Sequence, residues 1–217
     1  MAEIVLWYWK IPGRASLPYA MLRAANVPVV FSDTEANASS YKEKAPFGQL
    51  PVLIDKENNV TMAQSAAITV YAARLAGFDG KGNNRVYAHA LQYIELEAEL
   101  TQFCYRALYT GAAQSPERAA AWEEARQKID AKLALVAKNL GDSKWIVPGE
   151  ADASAADFAV AAILWLLSLP TLWPDLREAH PALAAHSARL LAQFPTAAAA
   201  FEEMSGWEAY YDRNKSR

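Results

Sequence analysis

Pro46-Phe47-Gly48-Gln49-Leu50-Pro51-Val52-Leu53, followed after a short polar segment by Gln64-Ser65-Ala66-Ala67-Ile68, is the stretch on which the fold turns. It reads as a loop, a proline that opens an apolar strand, a hairpin, and a helix whose first turn begins with Gln-Ser. Pro51 cannot donate to a strand ladder, so it marks a strand start or edge. An X-Pro bond is also the one cheap place for a cis peptide. A cis Leu50-Pro51 bond would turn the Leu50 backbone N–H and C=O outward, free to pair with an extended peptide. A helix starting at Ser65 offers N–H groups and a positive dipole end to a carboxylate. Together these features describe a site for a small acidic peptide.

Outward from this stretch, the pattern continues on both sides. Pro51–Ile54 and Val60–Met62 flank the polar turn Asp55-Lys56-Glu57-Asn58-Asn59, as in an antiparallel hairpin. Upstream, Ile4–Trp9 is rich in β-branched and aromatic residues and reads as a strand. Arg14–Ala25 has apolar residues at helical spacing, Val27–Ser32 is a second strand, and Ser39–Lys44 a short helix. Gln64–Ala76 is a helix that ends at Gly77. The order β-α-β-α-β-β-α is a small α/β unit of the thioredoxin type.

Residues 79–84, rich in glycine and asparagine, read as a linker after a first domain of residues 1–78. Residues 85–217 carry no convincing strand. Arg85–Thr110 and Pro116–Leu140 are long helical segments, with Pro116 at a favoured first helical position. Ser154-x-x-Asp157 is a capping-box variant that opens an apolar helix through Leu169. Pro181–Gln193 and Pro195–Met204 complete an all-helical second domain.

Bulk composition narrows the function. The 217 residues are 53% hydrophobic and 21% charged, ordinary for a globular protein with a core. A net charge of −3 gives no basic footprint, so nucleic acid is not an expected partner. The one cysteine, Cys104, excludes an internal disulfide and a Cys-x-x-Cys redox motif. It is expected to be a buried apolar residue. The start Met1–Leu6 does not read as a signal peptide, and no apolar run approaches the about 18 residues of a spanning helix. A cytoplasmic location without a membrane partner is therefore expected. His89, His180 and His186 are scattered, and nothing has metal-ligand spacing, so no metal is expected.

Tyr8 stands near the carboxyl end of the first strand, just before Gly13-Arg14. Ligands of open α/β sheets sit outside those ends. A phenol there can donate to a thiolate and favour the charged form. Tyr8 can equally be one more packed aromatic in Trp7-Tyr8-Trp9. Ser16 is a second hydroxyl, though it falls in the first helical turn. Gln49 can be a simple turn residue and Ser65 a simple cap, and Lys42 and Lys44 can be solvated.

In combination, Tyr8 with Gly13-Arg14-Ala15, Pro46 to Pro51, Gln64-Ser65 and Ser154-x-x-Asp157 resemble the cytosolic glutathione transferases over essentially the whole length. Leu6-x-Tyr8-Trp9-x-x-x-Gly13-Arg14-Ala15 is most similar to the sigma class, with alpha, mu and pi next. The resemblance implies a thioredoxin-like domain, an all-helical domain, a homodimer, and conjugation of the glutathione thiol to hydrophobic electrophiles. Glutathione is the implied co-substrate. Tyr8 is the implied thiolate-stabilising phenol, and Leu50 pairs with the cysteinyl unit across Pro51. Gln64 and Ser65 hold the γ-glutamyl carboxylate, Gln49 contacts the peptide backbone, Lys42 reaches the glycine carboxylate, and Arg14 lies close by. Phe47 falls where some classes insert an aromatic key into the partner subunit. An acid that reaches the partner's glutathione is Glu97 or Glu99, although either can instead be on a solvated helix face. The family's usual tryptophan near the glycine carboxylate is absent; Ala36 and Ala38 lie in that region, with Tyr41 nearby. The second, apolar substrate would meet Ile11, Pro12, Tyr105, Tyr109, Trp207, Tyr210 and Tyr211. Alternatives within the same resemblance are glutathione-dependent isomerisation or peroxide reduction, and a non-catalytic crystallin or ligand carrier.

Overall fold

The computed structural model describes residues 4–33, 41–111, 115–169 and 172–206. Residues Ala36, Ala38, Trp207, Tyr210 and Tyr211 lie outside them.

Apolar, β-branched segments form a four-stranded sheet in the order β2-β1-β3-β4. β1 is Ile4–Trp7, β2 Val29–Ser32, β3 Val52–Asp55 and β4 Val60–Ala63. β1 runs parallel to β2 and antiparallel to β3, and β3 pairs antiparallel with β4. The first strand is shorter than its sequence suggests, since the ladder ends at Trp7. Tyr8 extends the pairing only by its N–H, which donates to the Ser32 carbonyl at 3.1 Å. Beyond it the chain bends through Lys10–Gly13.

Asp55 closes the β3–β4 hairpin. Its carboxylate accepts from the Asn58 backbone and amide and from the Tyr71 hydroxyl. The Asn58 side chain, followed by Tyr71, holds that carboxyl below its ordinary range against the opposing effect of burial. α1 is Ser16–Ala24, α2 is Tyr41–Lys44 and α3 is Ser65–Ala76. α3 stops at Gly77, whose φ of 73° is the left-handed conformation a helix C-terminus favours.

The helical part follows in the expected order. α4 is Asn84–Leu108, α5 Pro116–Leu140, α6 Ala155–Leu167, α7 Leu176–Ala179, α8 Pro181–Gln193 and α9 Pro195–Glu203. Asn83 caps α4 through Arg85 N–H and Val86 N–H, and Ser115 caps α5 through Arg118 N–H. The fold is thus an α/β thioredoxin-like part followed by an all-helical part. One core runs through both, from Leu6, Leu53 and Ile68 to Phe158 and Phe201. α1 packs on α3, on α6 and on α9. Tyr19 and Arg23 on α1 join Glu203 at the end of α9, with Arg23 2.9 Å from the Glu203 carboxylate. Burial and then Glu203 push the Tyr19 phenol up to about 12, so it stays a donor.

Candidate active site

The deciding stretch of sequence lines one polar cleft of about 400 Å³. Gly48, Gln49, Leu50 and Pro51 come from the loop before β3, and Gln64 and Ser65 from the start of α3. Trp9, Arg14 and Tyr41 complete it. The Leu50-Pro51 bond is cis.

Two local features of this cleft are of the kind that suits an anion. α3 begins without a side-chain cap from Gln64. The first-turn N–H groups of any helix lack intrahelical partners, and here they sit at the positive end of a twelve-residue helix. Gln64 itself has φ 74° and ψ 114°, a conformation that residues with a side chain rarely adopt. Such backbone costs on the order of 1–3 kcal/mol and gathers at ligand sites. The Gln64 side-chain amide N–H donates to the Gln49 side-chain oxygen Oε1 at 3.0 Å, tying the two glutamines of the motif together.

Arg14 supplies a cation. Its guanidinium donates to the Gln102 side chain and lies 5.9 Å from the centre of the Tyr105 ring. On the same face of α4, Glu97 is only 7% exposed and accepts from the Thr101 hydroxyl at 2.9 Å. Burial lifts the Glu97 carboxyl to about 7, opposed by the Thr101 hydrogen bond and the charge of Arg14. The solvated helix face considered for this residue is therefore corrected: Glu97 points into the molecule. Glu99 is partly exposed and pairs with Lys132 at 3.1 Å.

Tyr8 is buried, 3% exposed. Its hydroxyl is 3.3 Å from the Tyr105 hydroxyl, and Tyr105 donates to the Pro12 carbonyl at 3.1 Å. Gly13 makes this approach possible. At φ 151° a side chain is disfavoured, and a Cβ there would fall 1.8 Å from the Tyr105 oxygen and 2.9 Å from the Tyr8 oxygen. Ser16, the other hydroxyl considered, accepts from the Gly13 N–H at 2.9 Å and so shapes the same turn.

Six of the sequence candidates thus share the cleft: Arg14, Gln49, Leu50, Pro51, Gln64 and Ser65. Lys42 lies on α2 and is exposed, outside the cleft lining, and the wall there belongs to Tyr41. Ile11 and Pro12 are buried, Tyr109 is largely exposed and Phe47 is 67% exposed. Cys104 is fully buried as expected, and burial pushes its thiol up to about 12. Trp9 was not anticipated as a cleft wall, and Tyr41, noted only as near the glycine-carboxylate region, proves to be one. Their rings stand edge to face, 6.1 Å apart. The signal was present in the alternation of Trp7-Tyr8-Trp9, which turns Trp9 away from the face that buries Tyr8.

Comparison with known proteins bears on the family and the fold. A family model described as glutathione S-transferase, N-terminal domain, matches residues 4–74, and one described as glutathione S-transferase, C-terminal domain, matches residues 119–189. An S-crystallin, SL18, of Nototodarus sloanii is 34% identical over 84 residues, 37% of this chain. The match spans about a quarter, 26%, of that protein's length. The glutathione transferase URE2P6 from Phanerochaete chrysosporium, solved in complex with oxidized glutathione, superposes with a TM-score of 0.76 at 24% identity. That superposition covers 94% of this chain and 96% of the other. Prostaglandin synthase D of Nilaparvata lugens has a TM-score of 0.71 at 18% identity, covering 92% of this chain and 97% of that one. The two family models together account for well over half of the sequence, and the chain belongs to the glutathione S-transferase family.

Proposed function

We propose that the protein conjugates the glutathione thiolate to hydrophobic electrophiles, with Tyr8 as the catalytic hydroxyl. The observation that carries this reading is the polar cleft that joins Gln49, Leu50 and Pro51 to the uncapped start of α3. A γ-glutamyl carboxylate at Gln64 and Ser65 would satisfy that helix end. The cysteinyl unit would pair with the Leu50 backbone. Arg14 would lie beside the peptide, and Lys42, which stands outside the cleft lining next to Tyr41, would have to extend inward to meet the glycine carboxylate.

The chemistry then follows from proton affinity. A free thiol near 8.5 is mostly protonated at neutral pH, and a drop of about 2 units makes it mostly thiolate, which is worth roughly 2.7 kcal/mol. A Tyr8 O–H donated to sulfur favours the anion. The thiolate forms the new carbon–sulfur bond as the leaving group departs, and the uncharged thioether accepts more weakly from Tyr8. The second substrate would lie near Pro12, Tyr105 and Tyr109, between the sheet-bearing and helical parts.

The same reading divides the chain into residues 1–78, a linker 79–84 and residues 85–217, and favours a sigma-like class. The Leu6 to Ala15 pattern and the S-crystallin match support that class. It also makes the protein a homodimer. Support comes from exposed Phe47 and from an apolar groove of about 450 Å³ along α3 and α4, lined by Met62, Ala66, Val70, Tyr71 and Leu91. Of the two acids, Glu99 has the more accessible carboxylate for a site on a second copy. A cytoplasmic location fits the single, fully buried cysteine. Among the described residues no helix is long and apolar enough to cross a membrane.

The test is Tyr8→Phe. Glutathione binding should survive, while turnover with chlorodinitrobenzene should fall by at least about tenfold, the effect of losing one transition-state hydrogen bond. Unchanged turnover removes Tyr8 from the mechanism. Retention of the wild-type protein on immobilised glutathione without turnover would instead fit a carrier or crystallin.

A further inference from the structure

Two phenols meet beside Gly13, and their two protons serve the two contacts there in one arrangement but not a third acceptor as well. Tyr105 carries one proton and has two oxygen neighbours, the Pro12 carbonyl at 3.1 Å and the Tyr8 hydroxyl at 3.3 Å. When that proton points to Pro12, the lone pairs of Tyr105 face Tyr8, and Tyr8 is the donor between them. When it points to Tyr8, the Tyr8 proton is released for a different acceptor. The two arrangements differ by rotation about two C–O bonds, and no proton leaves either ring.

The surroundings keep Tyr105 able to do this. Its ring is fixed on α4, with the Arg14 guanidinium over its face and Arg14 held by Gln102. Burial and then the neighbouring Tyr8 push the Tyr105 phenol well above its ordinary range, so it remains protonated where the protein works. The 3.3 Å contact is long for two hydroxyls, which leaves room to tighten. Glycine at position 13 leaves the space that both oxygens use.

We propose that Tyr105 is a positioning residue for the Tyr8 hydroxyl, accepting from it in the free protein and donating to it once a thiolate is bound. The proposal rests on the glutathione reading above. With sulfur in place, Tyr8 donates to the thiolate, and Tyr105 turns its O–H from Pro12 to the Tyr8 oxygen. A hydroxyl that accepts one hydrogen bond donates a stronger one. The negative charge on sulfur is then stabilised through two O–H groups in series.

Tyr105→Phe tests this, because it removes the hydroxyl and keeps the ring, its packing and its contact with Arg14. The thiol of bound glutathione, followed by its ultraviolet thiolate absorbance against pH, should ionise about one unit higher, a tenfold loss of thiolate in the acid limb. Affinity for S-methylglutathione, which has no thiol to ionise, should stay within about twofold of wild type, and the melting temperature should fall by no more than several degrees for the hydrogen bond lost at Pro12. In a Tyr8→Phe background the Tyr105→Phe change should shift the thiol no further, because the two act as one unit. An unmoved thiol titration in Tyr105→Phe overturns the proposal. So does an equal shift in the Tyr8→Phe background, which would make Tyr105 act on sulfur directly. So does a parallel loss of S-methylglutathione binding, which would make it a peptide contact. Failure of the wild-type protein to bind S-methylglutathione would sink the glutathione reading itself, and this inference with it.

Discussion

Glu97 has a consequence for pH that can be worked out from its burial alone. Its carboxyl, ordinarily near 4.5, titrates at about 7 in the folded chain. Between those values the folded state binds more protons than the unfolded one, so stability falls as pH rises through that window and stays low above it. Glu97→Gln keeps an acceptor for Thr101 and removes the charge. We expect it to be more stable than wild type at pH 8, by on the order of 3 kcal/mol, with the gap nearly closed at pH 4.5. Thermal unfolding at both pH values checks this, and equal gaps at the two would refute it. Nothing in Ile94–Thr101 distinguishes Glu97 from Glu95 or Glu99 by type or charge. Which of the three turns inward is decided by the face of α4 that meets Arg14, a contact across more than 80 positions of sequence. The Tyr8–Tyr105 contact, 97 residues apart, was hidden for the same reason. Gln49, Leu50, Pro51, Gln64 and Ser65 were legible because each sits in a local turn or helix start.

At the scale of elements, punctuation in the sequence was the reliable signal. Gly77, Ser115-Pro116 and Ser154-x-x-Asp157 each mark a helix end by a backbone demand, and each falls where that demand arises, whereas Asn83, read as linker, proves to be the cap of α4. α7 went unread because its single turn is too short to carry a period. The start of α6 is the most concentrated case. Asp157 is fully buried, and its two oxygens accept from Ile146 N–H, Ser154 N–H, the Ser154 hydroxyl and His186 Nε2. One carboxylate therefore fixes the start of α6, the segment before it and α8. Asp157→Ala leaves buried donors without acceptors and should cost about 3–5 kcal/mol, enough to leave much of the chain unfolded at 37 °C. Urea unfolding of the variant measures it. A loss under about 1 kcal/mol would show that the network is dispensable.

For the whole molecule, the proposed homodimer is tested at Phe47. An aromatic ring exposed to 67%, on a chain that also carries a separate apolar groove along α3 and α4, supports the proposal that a second copy covers part of this surface. Phe47→Ser should shift the population from dimer to monomer at micromolar concentration in sedimentation equilibrium, while the circular dichroism of the fold stays the same. A wild-type chain that sediments as a monomer would remove the homodimer from the reading. The sheet and helical parts need no such partner to hold together, since α1 is packed between them and tied to α9 through Tyr19, Arg23 and Glu203.

The start of α3 makes a demand that the side chain at its N-cap position does not meet. No Gln64 side chain closes that helix, and the backbone at Gln64 is held in a costly conformation. A bound peptide carboxylate would serve as the missing cap, making the ligand a structural component as well as a reactant. Heat resistance should then track ligand supply. At a hundredfold excess over its dissociation constant, glutathione should add about 2.7 kcal/mol, a rise of several degrees in melting temperature. On the proposed reading, reduced supply would leave the protein slack at the start of α3, and the stability of the chain would become a gauge of the peptide around it.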